Sequence, residues 1–535
     1  KKTYEPEYTH LLKLVYEKVK SINPNAKVYA MTTANVANAD SWIEECLKLG
    51  AGDYLDGISI HPYNVTLSAE ADKTLNDIKT VQELMKKYGI GDKKLVFSEF
   101  GWSSSLNYAD EEKQANYTPE FAGLMTNQSI ERILWYNFQE KTTGAQNDGE
   151  LHFGAIRGWQ FTEIPYEAKP VFITMAAYNK LMNGAVRTKD IKLSDERASI
   201  YAFDLPDGQK ALMAWTKSGS ISTALNIGTD IVNIYDRYGN KEKLYSTNGT
   251  IDVTLTENPI YIIGNLDIEN IKEESPKFEI FTSQLNCVKG DDAKITGKLP
   301  KGEWDVETEC PDNIKQNGKV AVKADGSFEL NFKAGLSGAE KETVKVLIKN
   351  KMTGNVVYSM PVSVEYRYSL SAEESINYYR NSRWQLILRL QNNKTEGNIS
   401  GRVKITQPSE MELNDKEARF ESLAPNEVRY MYLNIPISKS TDKLDISGYI
   451  ETDGGEQIPF NDSSYFVGMT KVQGEPKIDG KFDKGEYSME TPIRMNKANM
   501  VQQISDWGGT SDLSGTVYLN YDKDYFYLAA RVKDN

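Results

Sequence analysis

Apolar residues near the amino terminus recur at the spacing of an amphipathic helix. Leu12, Val15 and Val19 lie three or four residues apart, so the sequence predicts a helix over about residues 5–22. The same spacing predicts further helices at about residues 39–49, 69–88, 110–127 and 169–184.

Short apolar runs separate these helices, at residues 27–33, 56–63, 94–102 and 131–139. Strand-like runs that alternate with amphipathic helices are typical of βα units and a parallel sheet. Such a sheet can be open, or it can form part of an eightfold barrel. Neither GxGxxG after the first strand nor GxxxxGK[ST] occurs, so a nucleotide-binding interpretation loses its main support.

From residue 184 onward the pattern is all-β, with strand-like runs about every 8–12 residues and turns such as Pro206-Asp207-Gly208. The predicted fold class is therefore multidomain, an α/β part followed by all-β sandwiches. An acidic stretch at residues 267–277 is interpreted as a linker. The predicted domains are 1–183 (α/β), 184–265 (antiparallel β-sandwich), 276–366 and 367–468 (immunoglobulin-like sandwiches) and 469–535 (a further β domain).

Composition narrows the possible partners. The chain has 535 residues and a formal net charge of −13, which disfavours nucleic acid and anionic membrane surfaces because both usually require a basic footprint. No apolar run approaches the roughly 20 residues that cross a bilayer, so we expect no membrane insertion.

Cysteine and histidine are too few for a disulfide framework or a His-rich metal centre. Cys46, Cys287 and Cys310 also lack the paired spacing of a zinc site. Cys287 and Cys310 can either bridge within one module or remain reduced, and the sequence leaves both possibilities open.

Polar side chains interrupt three successive apolar strands at their carboxyl ends, which form the reactive face of a parallel α/β barrel. Glu99 stands in the run KLVFSEFGW with the parity of Leu95 and Phe97. A carboxylate inside a core strand costs free energy unless it is paired or needed for function. Both explanations, a structural ion pair and a reactive group, are possible for Glu99 alone.

The neighbouring strands favour the reactive explanation. His61 and Tyr63 share one face at the end of DGISIHPY, and Trp135 and Asn137 share one face in ERILWYNFQ. A carboxylate beside hydrogen-bonding groups and an aromatic platform is what a sugar site needs. We therefore name His61, Tyr63, Trp135 and Asn137 as substrate-binding candidates, together with Trp102, which directly follows the Glu99 strand.

On these motifs, residues 1–183 resemble the second half of the barrel of a clan A retaining glycoside hydrolase, most similar to families 39 and 5. The resemblance implies a TIM barrel in which FSEFGW presents Glu99 as the nucleophile. It implies that the H-x-Y element His61/Tyr63 and the indole of Trp135 contact the sugar. The stretch from Glu111 to Tyr117 is similar to the helix that precedes the eighth strand.

The same resemblance implies that the general acid/base, a Glu after Asn at the end of the fourth strand, precedes residue 1. Glu5 and Glu7 are rejected as substitutes, because they stand at a predicted helix start, where carboxylates complement the helix dipole. The chain begins on a helix and ends on a strand, which suggests a fragment. We therefore expect little or no hydrolysis by these residues alone.

The downstream modules resemble parts of secreted polysaccharide-degrading enzymes, which implies an extracellular or cell-surface location. Residues 184–265 resemble the sandwich that packs on such barrels, and 368–468 resemble spacer domains of bacterial enzymes. From Pro476 the chain resembles the start of a family 9 carbohydrate-binding module, so calcium is possible there, although no cofactor is expected for catalysis. Candidate carboxylates are Asp506, Asp512, Asp522 and Asp524, which can equally be solvated, and Trp507 can be a platform or core.

Two functions follow as expectations. The first is a retaining glycosidase acting on a polysaccharide or oligosaccharide, completed by the polypeptide upstream and downstream. The alternative is a non-catalytic cell-surface carbohydrate-binding protein with a degenerate barrel. Under neither function do we expect the chain to bind nucleic acid.

Overall fold

The structure is a computed structural model of the 535-residue chain. The residues it describes are 4–33, 40–63, 72–105, 110–141, 149–158, 166–336, 340–379, 383–407, 416–435, 443–465, 469–472, 476–477, 481, 493–495 and 513–534.

Helices and strands alternate in the first segment, as the apolar spacing predicts. In chain order the elements are α1 Glu5–Ile22, β1 Tyr29–Ala30, α2 Asp40–Lys48, β2 Gly57–Ile60, α3 Asp72–Lys87, β3 Lys94–Phe100, α4 Glu111–Met125, β4 Ile130–Trp135 and α5 Pro170–Met182. Short 3-10 helices lie at Ala51–Tyr54 and Gly149–Leu151. The four strands form one parallel sheet in the order β1-β2-β3-β4.

Helices α1 to α4 bury apolar side chains against this sheet. Leu12 of α1, Ile43 and Cys46 of α2 and Phe121 of α4 belong to one core cluster with Ile58 of β2. Burial of aliphatic and aromatic side chains on this scale is the main force that holds helices to a sheet.

Strand β1 is shorter than the predicted run at residues 27–33. It ends at Ala30 because Met31 takes a φ of 64°, in the left-handed region that interrupts an extended strand. The Met31 amide donates instead to the hydroxyl of Tyr8 at 2.7 Å, which ties the end of the strand to α1.

All-β structure follows, as expected. The next strands are β5 Val186–Ile191, β6 Ala198–Asp204, β7 Lys210–Thr216, β8 Ile221–Asn226, β9 Ile231–Tyr235, β10 Lys241–Tyr245, β11 Thr250–Leu255, β12 Ile260–Gly264 and β13 Lys272–Glu274. They form sheets of order β10-β9-β12-β7-β6-β5 and β11-β8-β13. Part of the predicted linker at 267–277 is therefore structured, since β13 pairs with β8.

Residues 279–367 contribute the next eight strands, namely β14 Glu279–Ile280, β15 Gln284–Val288, β16 Asp292–Lys298, β17 Trp304–Glu309, β18 Ile314–Val322, β19 Ser327–Ala334, β20 Lys341–Asn350 and β21 Val356–Arg367. Their sheets have the orders β14-β16-β19-β18 and β15-β21-β20-β17. Cys287 is buried, Cys310 is exposed, and neither is in a disulfide.

Two more sheets follow, built from β22 Leu370–Tyr379, β23 Arg383–Asn392, β24 Ile399–Gln407, β25 Glu417–Leu423, β26 Val428–Ile435, β27 Lys443–Thr452 and β28 Gln457–Tyr465. Their orders are β22-β23-β26 and β25-β24-β27-β28, and they enclose one apolar core. The last strands, β29 Thr470–Lys471, β30 Ile493–Met495, β31 Leu513–Tyr521 and β32 Phe526–Asp534, form a separate sheet.

The chain divides into two compact units. The first comprises residues 1–279, 299–307 and 347–360, and the second comprises 280–298, 308–346 and 361–535. Strands of the predicted 276–366 module belong to both units, and the domain boundaries given above stay predictions. No helix in the described part of the chain is long and apolar enough to span a bilayer.

Candidate active site

An irregularity in β3 turns Glu99 away from the core. Between the pairs Phe97↔Ile133 and Phe100↔Trp135, β3 advances by three residues and β4 by two. One extra residue in a strand reverses the side-chain alternation beyond it. Phe97 remains in the core beside the helices, whereas the Glu99 side chain is 40% exposed.

The predicted parity of Glu99 is therefore corrected. Glu99 does not share the face of Leu95 and Phe97, since both of those residues belong to the core cluster. Its carboxylate faces His61 and Tyr63, which follow the end of β2.

Two side chains hold one carboxylate oxygen. The Tyr63 hydroxyl donates to Oε2 of Glu99 at 3.2 Å, and Nδ1 of His61 lies 3.3 Å from the same oxygen. Among the described residues, these contacts reach Oε2 and leave Oε1 without a hydrogen bond. The carboxylate is thus oriented and still has one oxygen able to react.

A chain of hydrogen bonds fixes the His61 ring. Nε2 of His61 lies 2.8 Å from Oγ of Ser98, and that oxygen lies 2.6 Å from Oγ of Ser59. We assign the proton of the neutral ring to Nδ1, because the carboxylate 3.3 Å away carries no hydrogen to donate. Nε2 then accepts from Ser98, and Ser59 donates to Ser98.

Burial sets the protonation of these partners. It lowers the pKa of His61, and the negative charge of Glu99 opposes that shift, so the ring is neutral at pH 7. Burial also raises the pKa of Tyr63 far above its ordinary value, and the nearby carboxylate of Glu99 adds to the effect. The Tyr63 hydroxyl therefore remains a hydrogen-bond donor throughout the neutral range.

An aromatic wall, defined as Tyr63, Tyr136 and Phe153, stands beside the carboxylate. The Tyr63 ring centroid is 6.4 Å from that of Tyr136 and 5.8 Å from that of Phe153, and both ring pairs meet edge to face. Gly101 permits this approach, because a Cβ there would lie 2.4 Å from the Tyr136 carbonyl oxygen.

Trp102 and Trp135 are not brought to Glu99. Their ring centroids are 6.5 Å apart, and Trp102 packs edge to face on Phe100 and Phe121 in the core. Both indoles line a pocket of about 530 Å³ between β4 and helices α4 and α5. The predicted shared rim of Trp135 and Glu99 does not form, because alternation places Tyr136 on the Glu99 side.

Asn137 is joined to the aromatic wall by backbone hydrogen bonds. Its N–H donates to the Phe153 carbonyl at 3.3 Å, and its carbonyl accepts from Ala155 at 3.1 Å. The side-chain Oδ1 is buried and has no hydrogen-bond partner among the described residues. The peptide bond between Tyr136 and Asn137 is cis.

A buried lysine supports the segment that carries Phe153. Nζ of Lys169 donates to Glu140 at 3.0 Å, to Ser104 at 2.7 Å and to the His152 carbonyl at 3.1 Å. Its side chain is fully buried, and this burial lowers the pKa of Lys169 although the charge of Glu140 opposes the shift.

Sequence reasoning missed Tyr136, Phe153, Ser59 and Ser98. Strand alternation indicates that Ser59, two residues before His61, shares its face. For Tyr136 the only clue is that it is aromatic and directly follows Trp135. Phe153 comes from a loop with no periodic pattern, so nothing in the sequence places it.

No group of three or more His, Cys, Asp or Glu residues suited to a metal ion occurs in the described part of the chain. Of the C-terminal candidates, Asp522 accepts hydrogen bonds from the amides of Asp524 and Tyr525 within its own turn. Asp506, Trp507 and Asp512 lie outside the described residues.

Solved structures of several glycosidases resemble the chain at low sequence identity. The catalytic domain of GH30 xylanase C from Talaromyces cellulolyticus matches at 12% identity and a TM-score of 0.34, covering 49% of this chain and 57% of that one. The GH51 arabinofuranosidase from Xanthomonas axonopodis pv. citri matches at 13% identity and a TM-score of 0.32, covering 48% and 62%. The chain thus spans about three fifths of each matched structure.

A search of curated proteins finds no significant match. Residues 6–163 match the family model described as the glycosyl hydrolase catalytic core. This range includes every described element from α2 to β4 and therefore Glu99, His61 and Tyr63. The amino-terminal α/β segment is accordingly similar to the catalytic core of glycosyl hydrolases over these residues.

Proposed function

We propose that this chain is part of a retaining glycoside hydrolase and that Glu99 is its nucleophile. One observation carries the proposal. The Glu99 carboxylate is partly exposed at a strand end and is held through Oε2 by Tyr63 and His61, while no described residue hydrogen-bonds to Oε1. The match of residues 6–163 to the glycosyl hydrolase catalytic core supports a carbohydrate substrate.

In the first step, Oε1 of Glu99 forms a bond to the anomeric carbon while the bond to the leaving oxygen breaks and a general acid protonates that oxygen. In the second step, water attacks the glycosyl ester, the same group takes the proton from water, and the Glu99 carboxylate is released. Tyr63 and His61 orient the carboxylate, and the aromatic wall gives the sugar an apolar surface beside it.

The general acid is proposed to lie outside the described surroundings of Glu99. A retaining mechanism requires a second carboxyl group roughly 5–5.5 Å from the nucleophile. The described side chains that contact Glu99 are an imidazole and a phenol. We therefore expect the 535-residue chain to hydrolyse ordinary aryl glycosides little or not at all.

The experiment uses substrates whose leaving group needs no protonation. The 535-residue chain is incubated with 2,4-dinitrophenyl 2-deoxy-2-fluoroglycosides of several sugars, and peptides are mapped by mass spectrometry. We expect a glycosyl adduct on Glu99, which Glu99→Gln abolishes. Glu131→Gln is the matched control, since Glu131 is at the opposite end of the neighbouring strand β4, and it should retain labelling.

Labelling of a different carboxylate, unchanged by Glu99→Gln, would falsify the assignment. The same panel is applied to a chain lengthened at its amino terminus, where turnover should appear if the acid is supplied there. Sugar binding without labelling or turnover in both chains would favour the alternative, a non-catalytic carbohydrate-binding protein.

The remaining expectations also stand as proposals. They are the family 39 or 5 type barrel, the immunoglobulin-like and carbohydrate-binding modules, calcium in the C-terminal module, and an extracellular or cell-surface location. Radiolabelled calcium retained by the full chain after gel filtration would support the calcium proposal, and its absence would contradict it.

A further inference from the structure

We propose that the sandwich containing β22–β28 binds a neutral polysaccharide on the outer face of its β22-β23-β26 sheet, with the rings of Tyr430 and Tyr432 as the platform. This proposal goes beyond the hydrolase function and does not depend on Glu99. The residues that we call the tyrosine face are Glu373, Gln385, Ile387, Arg389, Gln391, Val428, Tyr430, Tyr432 and Asn434.

Alternation along β26 separates the core side from the tyrosine face. Leu433 and Ile435 point inward and belong to the buried cluster of this sandwich. The intervening positions point outward, where Tyr430 is 53% and Tyr432 is 60% exposed. Two large aromatic rings are thus exposed to solvent on one face of the sheet, while its other face packs in the core of the sandwich.

The two rings form a row along the strand. Residues two apart on one strand lie about 6.6–7 Å apart and project to the same side. Tyr432 is opposite Ile387 and Tyr430 is opposite Arg389 on β23, so both tyrosines stand at paired positions of the sheet. Such a row offers consecutive apolar surfaces to the C–H faces of consecutive pyranose rings.

Amide groups border the rings on the same face. Gln385 donates to Oδ1 of Asn434 at 3.2 Å, and no described side chain hydrogen-bonds to the second N–H of Gln385 or to the Asn434 amino group. Arg389 donates to Oε1 of Gln391 at 3.3 Å. Amides both donate and accept, and they therefore match the hydroxyl groups that border a sugar ring.

Charge on this face is balanced, which selects for an uncharged ligand. The guanidinium of Arg389 donates to Oε1 of Glu373 at 3.1 Å, so the two charges offset one another. A polyanion would meet one cation that already has a carboxylate partner. A neutral polysaccharide is complementary to this arrangement.

The shape of the apolar area also favours a polysaccharide over a protein. Ile387 and Val428 are the aliphatic residues that flank the tyrosines, and Gln385, Arg389, Gln391 and Asn434 occupy the other positions of this face on β23 and β26. Protein interfaces of standard size have a larger apolar core within about 800 Å² per partner. Two rings bordered by amides instead suit a narrow, linear chain of sugars.

The test is isothermal titration of the full chain with mixed-linkage β-glucan, arabinoxylan, galactomannan and amylose, with polygalacturonate as the anionic comparison. We expect at least one neutral polymer to bind. Tyr430→Ala and Tyr432→Ala should each weaken that binding about tenfold, the scale of one lost aromatic contact. The double variant should lose it, and Tyr430→Phe should keep most of it.

Matched controls separate this surface from the Glu99 site. Tyr4→Ala removes a comparably exposed tyrosine from the start of α1 and should bind as the unmodified chain does. Glu99→Gln should also retain the binding that depends on Tyr430 and Tyr432. Equal binding by the double variant, or binding by none of the four neutral polymers, overturns the proposal. A tyrosine-dependent dimer in sedimentation experiments would instead identify a contact between copies and would also overturn it.

Discussion

Two opposing effects determine the pKa of His61, the imidazole beside Glu99. Burial disfavours the charged form of His61, and the carboxylate of Glu99 favours it. The net direction is downward, so His61 is neutral where most hydrolases work. A neutral ring can hold its Nδ1 proton toward Glu99 without forming a full ion pair that would weaken the nucleophile.

We predict that His61 titrates below its ordinary value of 6.5 and that Glu99→Gln lowers its pKa further. The variant removes the negative charge that raises the pKa and leaves the burial in place. NMR titration of histidine-labelled protein measures both values, and His61→Asn assigns the signal. An upward shift in Glu99→Gln would contradict the assigned contact.

The same shift predicts how stability depends on pH. Folded His61 holds a proton less tightly than unfolded His61, so its contribution to stability is present above about pH 6.5 and is lost as the pH falls. We expect His61→Asn to reduce the fall in the free energy of unfolding between pH 7.5 and 5. His10→Asn, on the exposed side of α1, is the matched control, and an equal effect of both substitutions would contradict the role given to His61.

The buried ion pair between Lys169 and Glu140 gives a second prediction for single residues. Lys169→Met leaves Glu140 buried without its ammonium partner, and we expect a loss of about 3–5 kcal/mol in the free energy of unfolding. Lys180→Met, on the exposed side of α5, should change it by about 0.5 kcal/mol or less. Urea denaturation followed by a probe in the first segment measures both, and equal effects would refute the role given to Lys169.

Element-scale prediction from the sequence succeeded where the apolar spacing was long and regular. The five helices of the first segment lie within a few residues of their predicted limits, since each needs only its own amphipathic face. The strands gave less reliable side-chain directions. The extra residue in β3 is visible only through its pairing with β4, so alternation assigned Glu99 to the wrong face.

Helix α4 is joined to the following sandwich by a buried arginine. Arg237, just after β9, donates to the carboxylate of Glu112 and at 2.6 Å to Oδ1 of Asn116, both on α4. It also reaches Asn258 before β12 at 3.1 Å. No local pattern in the sequence announces this contact, because Arg237 and Glu112 lie 125 residues apart.

We predict that Arg237→Met destabilises the first unit by about 3 kcal/mol, since Asn116 then loses a buried charged partner. Arg197→Met removes an exposed arginine paired with Asp195 in the same sandwich and should destabilise the chain much less, because solvent screens an exposed ion pair. Thermal unfolding of the full chain compares the two. Similar shifts for both variants would show that Arg237 does not join the elements.

At the scale of the whole molecule, stability is distributed over separate cores. The cluster around Phe97 lies in the first unit, and the cluster around Leu388 lies in the second. Domains with their own cores usually unfold in their own transitions. Changes in periodicity along the chain predicted an α/β part followed by all-β structure, whereas β13 lay in a stretch interpreted as a linker.

Calorimetry of the full chain should therefore resolve at least two transitions. Leu388→Ala removes about 2–5 kcal/mol from the second unit and should lower one transition by several degrees. Lys169→Met should lower a different one. A single transition that both variants shift equally would mean that the chain unfolds as one cooperative body.

The missing side chain at residue 101 has a practical consequence for anyone who diversifies this protein. In a saturation library selected for function, the codon for Gly101 should return glycine alone, because even alanine would collide with the Tyr136 carbonyl and displace the neighbouring strand end. Directed evolution of specificity should therefore leave that codon fixed and randomise the aromatic wall of Tyr63, Tyr136 and Phe153.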